Sequence, residues 1–400
     1  MKTIWLTTVT GTACTLALLA ACATDGETTT APADDASAPL PSPASDAGAD
    51  AEPGDDASSC VEDCEYYPDE CTDGALCASP LFGALATQET LDARVHVRAM
   101  AGRSPTDAWL VGSAGAAAHF DGTSWTPSAT GTQYSFLALW VRDDAEVAFE
   151  NPKLLHTRRL DTDAGAPSAG GWSVFGSAKL PSGWSDGRVY SSWTHADSTS
   201  LWLGTTTQSR GGLWRLRRAV DGSFGLTPAT LDKCSSSSTI PCASVYGIHG
   251  HSPDEIWAVG PRGAAFRVTD AEADSPTLTA FETDTLVALE SVWVAGPNDV
   301  WAVGSAGTVR RWRGDPYAFD AYKEVPTKQH LRAIAGSSPS DIWIGGDEGT
   351  VFHYDGNAWN RVKVAGLGGR RPRLERIWIP SPGKVWIAGR GTLLSLGGKP

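Results

Sequence analysis

Between Leu331 and Val364 short apolar runs alternate with clusters of turn-forming residues. LRAIAG is followed by SSPSD, IWIGG by DEG, TVFHY by DGNA, and WNRVKV closes the unit. β-Branched and aromatic residues fill the runs, while Pro, Gly, Asp and Asn punctuate them. No helical period is sustained within the unit. The pattern predicts four short antiparallel strands joined by tight turns.

The unit recurs. G-x-S-P-x-(D/E)-x-W occurs at Gly102–Trp109, Gly250–Trp257 and Gly336–Trp343, and GPNDVW at 296–301 is a shortened form. The tryptophans at 257, 301, 343 and 386 lie 44, 42 and 43 residues apart. A glycine follows six residues after Trp109, Trp257, Trp301 and Trp343, and five after Trp386. Four strands at this period describe one β-propeller blade, which buries both faces only when neighbours stack around an axis. Clear units start near Val97, Val245, Leu289, Leu331 and Leu374. Two less regular units, from Leu137 with Phe149 near the anchor position and from Tyr190 with Trp202 as anchor, make seven. The last unit lacks a fourth strand. Residues Leu81 to Glu89 are expected to supply it and so close the ring without an open edge. The predicted fold class is all-β, a seven-bladed propeller with an N-terminal closing strand.

DVWAVGSAGTVRRW at 299–312, EIWAVGPRGAAF at 255–266 and DIWIGGDEGTVFHYDG at 341–356 resemble the repeats of exported, myxobacterial-like propeller lipoproteins. More distantly, they resemble photosystem II assembly factor propellers. The resemblance covers about 300 residues and concerns the fold, since propellers host many functions.

The N-terminus changes the picture of location. Met1-Lys2 precedes an apolar run, Thr3 to Ala21, ending in Leu19-Ala20-Ala21-Cys22. This has the form of a secretory signal, and the quartet is similar to a bacterial lipobox, with Cys22 as the lipidated residue. The resemblance to lipoproteins implies an exported protein on the outer membrane, because Ala23 rather than Asp follows the cysteine. Residues 22–59 read as a disordered acidic tether, too polar to offset ordering entropy. It would span about 35 Å by random-coil scaling. Residues 60–78 form a Cys-rich segment, and 79–400 the propeller.

Nine acidic residues fall in 23–59 and six in 60–77, and Lys2 is the one base before residue 78. The 31 acids and 31 bases of 78–400 therefore balance, and the net charge of −14 belongs to the N-terminal segment. A neutral body argues against nucleic-acid binding. Cys60, Cys64, Cys71, Cys77, Cys234 and Cys242 are an even set in an exported chain. Disulfides are expected, with the pairing of the first four open and Cys234–Cys242 closing a loop. A zinc site is the alternative for the first four, although their spacing is not that of paired CxxC modules.

Candidate chemistry is sparse. Of 17 tryptophans, only Trp5 and Trp184 fall outside the blade register, and Trp5 belongs to the signal. Trp184 is the candidate ligand contact, on the long loop Lys179–Arg188. That loop shares a rim with Leu231–Ser244, and extra loop length on a repeat often marks the binding face. His249 occupies a slot filled elsewhere by Ala101, Trp293, Ala335 and Trp378. His119 and His353 share a slot with Arg267 and Arg311, so neither set reads as a metal site. Asp161–Gly165 only echoes a calcium loop. Neither a catalytic set nor a cofactor motif is found. The expectation is a monomeric, non-catalytic binding module for a protein or glycan, held to the membrane by its lipid. A sialidase-like hydrolase and an envelope assembly factor are the alternatives.

Overall fold

The computed structural model describes residues 65–399 apart from 152, 161–165, 182–183, 185–187, 209–210 and 230–242. Cys22, Cys60, Cys64, Cys234, Cys242 and the Asp161–Gly165 stretch lie outside the described residues.

Seven sheets, antiparallel apart from one parallel pairing in blade 7, form the blades of a β-propeller. Blade 1 consists of Val97–Ser104, Asp107–Gly112, Ala117–Phe120 and Trp125–Pro127, hydrogen-bonded in that order. Blades 2 to 6 repeat the plan from inner strands Ala138–Val141, Val189–Trp193, Gly247–Ser252, Leu289–Gly296 and Leu331–Ser338. Each inner strand touches the next, and Leu374–Ser381 of blade 7 meets Val97–Ser104 of blade 1. The ring therefore closes around an axis, and the inner strands line it.

The sequence motifs have physical causes. The glycine after each anchor ends a tight turn between second and third strands. Gly307 has φ +67°, and a Cβ there would lie 2.0 Å from the carbonyl oxygen of Thr327 in the loop leaving the same blade. Only glycine meets both demands. The glycine of G-x-S-P answers a different one. A Cβ on Gly336 would lie 2.7 Å from the Trp293 ring of the preceding blade. Gly250 receives Trp193 and Gly102 receives Trp378 in the same way. Tryptophan on one inner strand thus packs over glycine on the next, so blades with the glycine follow blades with the tryptophan.

The anchor tryptophans 109, 202, 257, 301, 343 and 386 are buried. A third-strand cation or imidazole covers several of them. Arg311 lies 4.3 Å from the Trp301 centroid, while His119 and His353 stack on Trp109 and Trp343 at 4.5 and 4.1 Å. The acidic residue two before the anchor ties each partner down, as in Asp299–Arg311, Asp107–His119 and Asp341–His353. The shared His/Arg slot is thus a stacking position.

One expectation needs correction. The ring is closed by Leu76–Ala78, inside the Cys-rich segment, and not by 81–89. Leu76, Cys77 and Ala78 pair antiparallel with Leu396, Ser395 and Leu394, and Leu76 and Cys77 also pair in parallel with Val364 and Ala365. Residues Phe82–Gly83 instead pair with Leu91–Asp92, and Leu81 and Leu91 pack against blade 1. The Cys71–Cys77 disulfide fastens the closing strand to the turn before it. Blade 2 departs most from the plan, because its anchor position holds Val147: Trp140 pairs with Val147 as Trp293 does with Trp301. Glu146, one residue before Val147, pairs across from Arg158 and faces blade 1. Its side chain is 1% exposed and is held by Arg103, Arg158 and Arg159.

Candidate functional site

The loops joining one blade to the next and the turns between second and third strands share one face, because inner strands start there and second strands end there. On this blade-linking face the axis opens into a channel of about 720 Å³. That size falls within the range of small-ligand sites. Arg98, Tyr246, Glu290, Arg332 and Glu375 line its mouth, each directly after the first apolar residue of its blade's inner segment, and Tyr190 holds the same position in blade 3. In each strand this polar residue follows an apolar one buried in the blade, so strand alternation turns it toward the axis.

Arg376 forms the floor. Its Nε donates to the carbonyl oxygen of Arg98, one Nη to that of Tyr190 at 2.9 Å and the other to that of Glu375 at 2.7 Å. The side chain thus spans from blade 7 to blades 1 and 3 across the axis. Burial pulls its pKa down from the usual arginine value. On the wall Arg332 donates to both Asp347 oxygens at 2.9 and 2.8 Å and lies 3.4 Å from Glu290. Burial raises the Glu290 pKa, against the pull of Arg332. Tyr190 and Tyr246 meet edge to face at 4.8 Å.

Cations extend from the mouth across the rim between blades 6, 7 and 1. Arg370, Arg371, Arg373 and Arg390 are exposed. Arg373 lies 3.0 Å from Asp347, Arg370 donates to the Gly391 carbonyl at 3.0 Å, and Arg371 lies 3.6 Å from the Tyr67 ring centroid. Burial lowers the pKa of His96 in their midst, and nearby Arg98, Arg390 and Arg373 push the same way.

The opposite end of the channel is aromatic, with Trp193, Trp293, Trp378 and His249 among its lining. His249 Nδ1 accepts the Val294 N–H at 3.2 Å, so the ring is a neutral acceptor. Burial lowers its pKa to about 4, with His251 and His195 adding to the effect. The folded pKa lies below the unfolded value of about 6.5. The stability that this neutral histidine contributes is therefore complete above pH 6.5 and is lost as pH falls toward 4. We expect wild-type protein to lose about 2–3 kcal/mol more than His249→Asn between pH 7.5 and 4.5, given roughly 1.4 kcal/mol per unit. Parallel denaturant midpoints for the two proteins across that range would rule this out.

Trp184 has a place after all. Its ring meets Trp214 edge-on at 4.5 Å and packs against the core shared by blades 2 and 3. Replacing it therefore costs packing, whatever it contacts on the outer side. A larger, open recess of about 1380 Å³ lies beside blade 1, lined mainly by Ala, Gly, Thr and Ser. It gathers few charges or rings, so the channel mouth is the better candidate. The mouth residues were not singled out from the sequence. Their signal was present as a charge or tyrosine recurring directly after Val97, Val189, Val245, Leu289, Leu331 and Leu374.

No family model and no curated protein matches the sequence. Solved structures do match at the level of fold. A structure of YCF48 bound to a D1 peptide aligns with TM-score 0.54 and 15% identity, over 76% of this chain and 91% of that one. YCF48 from Cyanidioschyzon merolae gives 0.54 and 17%, over 80% and 98%. Catalytically inactive virginiamycin B lyase from Staphylococcus aureus, with quinupristin, gives 0.56 and 13%, over 78% and 96%. The chain is thus a seven-bladed β-propeller with distant similarity to YCF48.

Proposed function

We propose that this chain is a non-catalytic binding module whose blade-linking face receives an acidic stretch of a protein partner. The observation that carries the reading is the concentration of exposed arginines at 370, 371, 373 and 390 on one side of that face. It stands out in a body that balances 31 acids with 31 bases. Guanidinium forks match carboxylates in geometry and charge. That YCF48, a propeller of the same fold, is found with a bound peptide supports a polypeptide ligand. The Leu19-Ala20-Ala21-Cys22 quartet supports an exported protein anchored through lipidated Cys22, with the acidic segment as tether.

Titrating the full chain with a C-terminally amidated decapeptide of alternating Glu and Ala tests the reading. Binding should weaken steeply between 50 and 300 mM salt, because the Debye length shrinks to about 10 Å at 0.1 M. Arg370→Glu/Arg390→Glu should lower affinity at least tenfold, about 1.4 kcal/mol. No binding at low salt, or wild-type affinity in that variant, would sink the proposal.

A further inference from the structure

We propose that the channel mouth contains a subsite for a single free carboxylate, gripped by Arg98 above the Arg376 floor. The inference rests on the binding-module reading and adds what the module holds at its centre. Charge is the first ground. Four guanidiniums, of Arg98, Arg332, Arg373 and Arg376, gather at the mouth with three carboxylates, of Glu290, Asp347 and Glu375. Arg332 is engaged by Asp347 and Glu290, and Arg373 by Asp347 and Glu375. One positive charge is left over, and one carboxylate balances it.

Hydrogen bonding is the second ground. The buried Nε of Arg98 finds no partner among the described residues, although the side chain lines the channel. Arg376 gives one N–H from each of its three nitrogens to carbonyl oxygens. A guanidinium has five N–H donors, so one remains on each Nη. Two N–H groups on one planar fork suit the two oxygens of a carboxylate. Shape is the third ground. Because Arg376 crosses the axis, a ligand entering from the blade-linking face stops there. The group that reaches the floor must be terminal and slender, as the end of a peptide chain or a small organic acid is.

The two sources share one chemistry, and the test separates them. Tetra-alanine as free acid, its C-terminal amide, and succinate are each titrated into the full chain and into Arg98→Gln, with unfolding temperatures compared first to confirm the fold. The free-acid peptide should bind wild-type protein at least tenfold more tightly than the amide, and Arg98→Gln should abolish that preference. Preference for succinate over both peptides would assign the subsite to a small acid. Equal binding of acid and amide with no binding of succinate, or an acid preference that survives Arg98→Gln, overturns the subsite. The amidated acidic decapeptide should still bind Arg98→Gln through the exposed rim. Failure of the subsite with decapeptide binding intact leaves the module standing, whereas loss of both removes it.

Discussion

Leu76→Asp lowers the unfolding temperature by about 10 °C, whereas Leu85→Asp changes it by no more than about 2 °C. Leu76 is fully buried between Leu396 and Val364 and packs with Trp343, Val351, Leu367 and Leu394. Removing a buried leucine side chain costs about 2–5 kcal/mol, and an unpaired carboxylate in its place adds a desolvation penalty. The strand would leave the sheet, and blade 7 would lose the partner of Thr392–Leu396. Leu85 is 68% exposed, in the segment that the sequence nominated as the closing strand. The pair of variants therefore decides which segment closes the ring. Equal melting temperatures would refute closure by 76–78.

Glu146→Ala should cost about 3–5 kcal/mol, the range for removing one partner of a buried ion pair. Its carboxylate serves three arginines at 1% exposure, so its loss leaves Arg103 in particular facing a cavity. Arg103 also donates to Asp107 and to the Arg142 carbonyl, so it cannot easily swing to solvent. Glu146→Gln keeps the shape and part of the hydrogen bonding, and should fall between wild type and Ala. Denaturant unfolding of the three proteins measures the series, and a cost below about 1 kcal/mol for Ala would show that the cluster does not hold blade 2.

Much of the fold was legible because the repeat writes its packing into residue types. Anchor, turn glycine and Asp-x-Trp each meet a demand that recurs in most blades, so spacing alone located them. The closing strand was misread because Leu76-Cys77-Ala78 is three residues long and embedded among Asp, Glu, Pro and Cys. Its neighbour from Leu81 is more apolar and closer to blade 1. Its strand character comes from the two edges that enclose it, Thr392–Leu396 and Val364–Ala365. The anchor of blade 2 was hard to place because Val147 stands where most blades carry tryptophan. The channel mouth was the least legible part. Single charges such as Glu290 and Arg332 carry no signal in isolation, and only the closed ring of inner strands turns them toward one axis.

The tryptophan-over-glycine alternation has a consequence of parity. Large and small inner strands alternate from blade 3 through blade 7 to blade 1. An odd ring cannot be two-coloured, so at least one junction must break the rule, as in a frustrated ring of an odd number of opposed spins. The break falls between blades 2 and 3, which both carry the tryptophan, Trp140 and Trp193, and neither the glycine. There guanidiniums take over, with Arg103 bridging to the Arg142 carbonyl and Glu146, and Arg142 reaching the Ser198 carbonyl of blade 3 at 3.5 Å. Adding or removing one blade elsewhere would shift the parity and remove the need for a mismatched junction. The irregular junction of blades 2 and 3 is thus what an odd-membered ring of paired repeats requires at one place.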